Sequence, residues 1–378
     1  MLDDRRCVII GLSVRALAQS AVKAGIGVFS IDCFADLDTD AISIQSRTIA
    51  WDGIGLDSRS LVEAIERCDP DNGCLPIIYG GGLEHTPDIL DRISQNRRLL
   101  GNPADTVMRI CNPQTFFAAL TRLGIPHPAT EFSPPIDRKF WLLKMTGGSG
   151  GTHIENYVDQ VPAAGHYFQQ RVPGKTITAT VLASECESKI VGFSEQWFSD
   201  ADKDRPFTYG GAVSIDSRQA ISKQTLNSIQ QHIGTVITYF RLRGLLSFDM
   251  VIDGHRWQLL EVNPRPGFTF ELHEGNDSFI AAHWNAFDAK HTQLRSISLD
   301  GIFRAHCIVY ALDHIRIPAH WKWPNWVTDR NRHDVSVSKY EPLCTVNAQC
   351  SSAEAARRKV MERYREMIEI ASDWVEKH

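Results

Sequence analysis

The stretch Ser247-Phe248-Asp249-Met250-Val251-Ile252-Asp253-Gly254-His255-Arg256-Trp257-Gln258-Leu259-Leu260-Glu261-Val262-Asn263-Pro264-Arg265 sets two carboxylates and an amide among large apolar residues. Asp253-Gly254 reads as a hairpin turn. Asp249 then stands on one strand, while Glu261 and Asn263, two apart, share a face of the other. Register decides whether the three converge. A two-residue turn at Asp253-Gly254 puts Asp249 and Glu261 on opposite faces. A three-residue loop, with Gly254 left-handed at a bulge, puts all three on one face. They then form a hard oxygen site suited to Mg²⁺ bound together with nucleotide phosphates. Two carboxylates buried side by side are costly without such a cation. The plain alternative is a solvated sheet edge, which the surrounding Phe, Met, Leu and Val oppose.

Lys144-Met145-Thr146-Gly147-Gly148-Ser149-Gly150-Gly151-Thr152 places a lysine at a strand end before a run of glycines. Glycine lets a backbone close on a ligand and turn N–H groups toward an anion, and the lysine adds a point charge. The lysine precedes the glycines, so this is not the nucleotide loop in which it follows them. A flexible hairpin tip accounts for the run equally well. Arg265 continues the alternation of 261 and 263 and can face the same cleft. Glu271, His273 and Glu274 lie just beyond it, as substrate contacts or a base. Arg205, Tyr209, Gly210 and Gly211 form a basic, aromatic, glycine-rich loop able to position an anionic substrate. Ordinary connecting loops explain both groups as well. His306 and His314 read as core or surface histidines, and Trp321, Trp323 and Trp326 as packing.

The elements that must carry these residues follow from periodicity. Cys7–Ile10 is a short apolar strand ending at Gly11, followed by a helix over 14–24 capped by Gly25. Val28–Asp32 and Leu75–Tyr79 are further strands, so a parallel sheet with right-handed crossovers is expected. Gly11 with Asp32 about twenty residues on invites a dinucleotide reading. Ser13 and Ala16 stand where that fingerprint needs glycine, which favours a structural turn. Gly101-Asn102-Pro103 closes this domain. A helix follows over 113–123, then strands at 140–144 and 166–172. Further strands are expected at 305–311 and 344–348, and a terminal helix from a Ser351–Glu354 capping box.

Composition bounds the partners. The 378 residues are 43% hydrophobic and 22% charged, enough for two or three domains with cores of their own. Forty Lys+Arg against 45 Asp+Glu give a net charge of -5, so no basic excess collects nucleic acid or anionic lipid. Nine scattered cysteines without a C-x-x-C pair suit a reducing compartment. An N-terminus without a signal-peptide pattern and no apolar run long enough for a bilayer complete the expectation of a cytoplasmic protein.

Taken together, lysine before a glycine-rich loop, a Pro173-Gly174 break, and Asp249 followed by Glu261-Val262-Asn263-Pro264-Arg265 resemble the ATP-grasp superfamily over roughly residues 100–275. The resemblance implies an α/β and α+β chain: an N-terminal Rossmann-like parallel domain (1–105), a small lid subdomain (106–185), a large subdomain with the metal site (186–300) and a C-terminal α/β extension (301–378). It implies ATP and Mg²⁺ as cofactors. Lys144 would sit on the phosphates and Gly147, Gly148, Ser149, Gly150 and Gly151 would be the phosphate loop. Gln169, Gln170, Arg171 and Val172 would read adenine, Thr176 would stand at the ribose position, and Asp249, Glu261 and Asn263 would hold Mg²⁺. Arg265 would contact the γ-phosphate and acyl phosphate. The chain departs from the pattern twice, with Asn112-Pro113 where a second nucleotide lysine is usual and Thr176 where an acid grips ribose. The implied activity joins a small-molecule carboxylate to an amine, in a form that admits a homodimer. Carboxylation through carboxyphosphate and nucleotide binding without catalysis are the alternatives. A narrower likeness lies in Gly11–Ala18, Asp32–Asp38, Tyr79–Glu84 and Pro342–Val346. These resemble a carboligase group associated with one-carbon coenzymes (methanofuran, methylofuran, tetrahydromethanopterin).

Overall fold

A computed structural model describes residues 5–51, 55–69, 75–137, 139–288 and 301–375. The N-terminal part is the expected parallel sheet. Strands β1 (Arg6–Ile10), β2 (Gly27–Asp32), β3 (Gln45–Thr48) and β4 (Ile77–Tyr79) lie in the order β3-β2-β1-β4. Helices α1 (Arg15–Lys23), α2 (Leu37–Ile42), α3 (Ser58–Cys68) and α4 (Ile89–Ile93) accompany them. Asp32 accepts the backbone N–H groups of Val14, Phe34 and Ala35, so it ties two loops together at the carboxyl edge of the sheet. That is the structural turn anticipated there.

Helices α5 (Ala104–Cys111) and α6 (Pro113–Arg122) lead into a four-stranded antiparallel lid sheet. Its strands β5 (Thr130–Glu131), β6 (Trp141–Met145), β7 (Ile154–Asn156) and β8 (His166–Gln170) are ordered β5-β8-β6-β7. Leu143, Tyr157 and Phe168 form its own small core, too little apolar surface to make it a rigid block.

The main body is an antiparallel sheet of eight strands, ordered β13-β12-β9-β10-β11-β14-β18-β16. These are β9 (Lys175–Ala183), β10 (Ser188–Phe198), β11 (Tyr209–Ile215), β12 (Gly244–Asp253), β13 (Arg256–Asn263), β14 (Phe303–Tyr310), β16 (Val327–Thr328) and β18 (Pro342–Cys350). A two-stranded ribbon, β15 (Ile315–Arg316) with β17 (Ser336–Val337), flanks it. Behind β9 and β12, residues of α6 and of α8 (Lys223–Phe240), which follows the short α7 (Ser217–Ala220), pack Phe116, Phe117 and Phe240 into the largest core. Helix α9 (Phe279–Ala286) shares a second core with α1, β1 and β2, so the parallel domain is fused to the main body. The terminal helix α10 (Ala353–Ser372) lies on β14 and β18, with Trp321, Trp323 and Trp326 packed against the same core.

Two expectations change. Strand β9, within the expected lid segment, hydrogen-bonds to β10 and β12 of the main sheet, and β14 and β18 of the C-terminal segment extend that sheet. The terminal helix starts one residue later than expected, because Ser352, not Ser351, accepts the N–H of Ala355.

Candidate active site

The β12–β13 hairpin turns at Gly254-His255, closed by Asp253 opposite Arg256, with Gly254 at φ 58. Neither expected turn is present. What aligns the acids is a slip in the ladder: Met250 pairs Leu259, but Asp249 pairs Glu261, leaving Leu260 as a bulge. Asp249 and Glu261 are therefore direct cross-strand neighbours, and Asn263 lies on the same face opposite Ser247.

Asp249 accepts hydrogen bonds from Thr178 Oγ1 (2.5 Å), Gln196 Nε2 (3.3 Å) and Asn263 Nδ2 (3.2 Å). Burial, and then the Glu261 charge beside it, push its carboxyl up to about 7. Burial also works against ionised Glu261, but the charges of Lys144, His153 and Arg265 outweigh it and hold that carboxyl below its ordinary value. Asp249 is thus the more readily protonated of the two. Two buried carboxylates facing each other form a donor set whose repulsion a divalent cation would relieve. Among the described residues, no three His, Cys, Asp or Glu side chains are arranged to bind a metal. A cation on this pair therefore fits only with further oxygens brought by a ligand, as nucleotide phosphates would bring. Asn263 departs from its expected part: its amide oxygen accepts from Arg265 Nη2 at 3.0 Å, so here it faces the arginine.

Lys144, 3% exposed, stands opposite Tyr167 on β8. Its Nζ donates to Gln169 Oε1 (3.3 Å) and lies 3.8 Å from Glu261 Oε2. Burial lowers its pKa, but Tyr167 and the two acids more than compensate, so it stays charged. Gln169 Nε2 is buried without a partner, a donor left for a ligand. Gln170 and Arg171 are exposed and Val172 is half-buried where the lid joins the main sheet, with Arg171 5.6 Å above the Phe207 ring. Thr176 is half-buried on β9 opposite Val251.

The glycine loop is seated on the main body. Gly150 O accepts the N–H of Tyr209 (2.8 Å), and a Cβ on Gly151 would lie 1.9 Å from the Phe207 carbonyl oxygen. A Cβ on Gly148 would strike His153, whose imidazole burial and nearby Lys144 drive down to about 4. Ser149 O accepts the Thr152 hydroxyl. At the expected second-lysine position, Asn112 instead caps α6 by accepting Thr115 N–H (3.0 Å), with Pro113 as the first helical residue.

Arg265 donates from Nε to Glu84 Oε1 (2.6 Å) and from Nη1 to the Pro266 carbonyl (3.2 Å). Sequence reasoning did not assign Glu84, Tyr167, Thr178, Gln196 or His153 to the site. Only the alternation of 167 with 169 and of 178 with 176 hinted at a shared face.

The expected substrate residues are not gathered at the acidic pair. Glu271 is clamped by buried Arg15 (2.5 and 3.1 Å), which also grips Asp329, and Glu271 Oε1 meets His306 Nδ1 at 3.2 Å. His273 is buried beside Gly192 with Ser194 Oγ 2.8 Å from its Nε2, and burial takes it down to about 3, so it is a neutral core histidine. Tyr209 OH contacts His306 Nε2 (2.6 Å), and Gly210 packs tightly on Phe198. Arg205 is 60% exposed and lies 3.9 Å from Asp202. Two surface clefts, one with Arg47 and Arg67 and one with Tyr364 and Arg365, share no residue with this site.

A lysine and glycine loop on a small lid thus lie across from an acidic pair and an arginine on a large antiparallel sheet. Residues 112–269 match the family model of the ATP-grasp domain. Over most of its length the chain is similar to several known proteins. Biotin carboxylase from Campylobacter jejuni, in complex with β-γ-ATP, superposes with TM-score 0.70 at 14% identity, covering 93% of this chain and 89% of that one. N5-carboxyaminoimidazole ribonucleotide synthetase from Thermotoga maritima gives 0.66 at 15%, covering 96% and 98%. The biotin carboxylase domain of Hydrogenobacter thermophilus 2-oxoglutarate carboxylase, with MgADP and bicarbonate, gives 0.69 at 12%, covering 94% and 88%. An uncharacterized protein of Methanocaldococcus jannaschii is 21% identical over 364 residues, 91% of this chain and 88% of its own.

Proposed function

We propose that this protein is an ATP-dependent carboxylate–amine ligase, with Asp249 and Glu261 holding the nucleotide's Mg²⁺. The observation that carries the reading is the direct cross-strand pairing of these two carboxylates, with Lys144 3.8 Å from Glu261 and Arg265 bonded to neighbouring Asn263. Bound Mg²⁺ supplies charge neutralisation across the phosphates. Lys144 holds a fixed positive charge toward the same phosphates from the lid strand. Gly147, Gly148, Ser149, Gly150 and Gly151 cover them, with Gly150 anchored to Tyr209 so that water is excluded. Gln169, Gln170, Arg171, Val172 and Thr176 line the base and ribose end. Arg265 stabilises charge on the transferred phosphoryl group and on the acyl phosphate that the amine then attacks.

Substrate-dependent ADP release tests this. Glu261→Gln and Arg265→Ala are each expected to lower it by about 10²–10³ with the fold intact by circular dichroism. Unchanged turnover in both variants refutes the assignment. A carboxyphosphate reaction is the second reading, favoured by the likeness to carboxylase folds, one of them with bicarbonate. ADP release that depends on bicarbonate and needs no other carboxylate would select it. The sequence likeness of Gly11–Ala18, Asp32–Asp38, Tyr79–Glu84 and Pro342–Val346 to the carboligase group supports a product in furan- or pterin-type one-carbon coenzyme synthesis. Scattered free cysteines support a cytoplasmic setting.

A further inference from the structure

The guanidinium of Arg265, assigned above to phosphoryl transfer, is held by a residue outside the 112–269 segment. Its Nε donates to Glu84 of the N-terminal domain at 2.6 Å, and both side chains are nearly buried, at 12% and 9% exposure. Glu84 is itself fixed, because its other oxygen accepts the N–H of Gly82 at 2.7 Å. Gly81 gives the guanidinium room: a Cβ there would lie 3.1 Å from Arg265 Nη2. From the same side, Asn102 Nδ2 donates to the Pro264 carbonyl (2.7 Å), and the Asn102 carbonyl accepts the Tyr79 hydroxyl at the end of β4. The next residue along, His85, touches the lid: a Cβ on Gly147 would meet His85 Cα at 3.1 Å. One loop, residues 80–85, thus contacts both the arginine and the seated glycine loop.

We infer that Glu84 is a positioning residue for Arg265, and that the N-terminal loop it belongs to aims the arginine at the terminal phosphate when the glycine loop is seated. The physical reason is orientation. A guanidinium with Nε tied to a carboxylate and Nη2 tied to Asn263 has one plane available, which leaves its remaining donors directed rather than free to rotate. The inference rests on the ATP-dependent reading above and concerns the γ-phosphate alone.

Calorimetric affinities for Mg-ADP and for the non-hydrolysable β,γ-imido analogue of Mg-ATP separate the possibilities. Wild-type protein should bind the triphosphate more tightly, and Arg265→Ala should remove that preference. Glu84→Ala should weaken the triphosphate at least tenfold while changing the diphosphate less than twofold. Glu84→Gln, which keeps an acceptor for Nε, should recover part of the preference. In the Arg265→Ala background, Glu84→Ala should add nothing. Thermal melts identify any variant that has lost its fold, and Glu84→Gln, the milder change, then carries the comparison. An intact triphosphate preference in folded Glu84 variants overturns the inference while leaving the ligase reading standing, as does equal weakening of both nucleotides. A wild-type protein that binds neither nucleotide overturns both.

Discussion

At the scale of single residues, the acidic pair couples metal binding to protons. Asp249 carries a carboxyl raised to about 7 because it is buried opposite Glu261. Binding a cation requires that proton to leave. Titration of Mg-nucleotide near pH 6, in two buffers of different ionisation enthalpy, should show release of about one proton, fading above pH 8 and absent in Asp249→Asn. The stability consequence has the opposite sense. A folded-state pKa above the unfolded value stabilises the protein below about pH 4, and that contribution is lost as pH rises through about 7. Metal-free Asp249→Asn should therefore be more stable than wild type at pH 8, on the order of 1 kcal/mol or more by urea denaturation, with little gain at pH 4. A variant that loses metal binding and gains stability would mark the pair as built for function.

At the scale of elements, the glycine loop depends on the absence of side chains at particular contacts. Gly151 has φ 75, and a Cβ there would fall 1.9 Å from a backbone oxygen of Phe207, which a side-chain rotation cannot relieve. Gly151→Ala should therefore unseat the loop, weakening Mg-ATP binding by tenfold or more and raising amide hydrogen exchange across residues 147–151. Gly150→Ala meets no atom, although its φ of 64 still strains an alanine, so its effect should be smaller. The small core of the lid fits an element that opens on its own while the main sheet stays packed.

At the scale of the whole molecule, Arg15 joins three regions of the chain. It is 2% exposed, bonded to Glu271 just after β13 and to Asp329 near the C-terminus, and Glu271 passes on to His306 and Tyr209. Burial alone would raise Glu271, but Arg15 and His306 overcome it and hold the carboxyl down at about 2. A lowered folded-state pKa stabilises above about pH 4.5 and is lost as pH falls toward 2. Arg15→Met should cost about 3–5 kcal/mol near pH 7 by removing the arginine that Glu271 and Asp329 share, with the penalty shrinking as pH falls toward 3. Equilibrium denaturation followed from pH 3 to 7 checks both.

Local chemistry in the chain was enough to mark the parallel domain, the lysine–glycine loop, the lid helix and the hairpin with its acids, since each announces itself by a short periodicity or by glycine and proline. Strand β10, half-buried along much of its length, gave no such announcement, whereas α8 went unread although Ile229, Ile233, Val236, Ile237 and Phe240 form an apolar stripe at helical spacing. The side on which Glu261 falls was undetermined locally: the deciding bulge at Leu260 is set by how β12 pairs at once with β9 and β13. Only tertiary structure could bring Glu84, from a separate domain, to Arg265, or turn Glu271 and His273 inward, because charge pairing and burial depend on partners distant in sequence. Residue types and spacings therefore determined which chemistry this chain can perform, and packing between its parts decided which side chains are free to perform it.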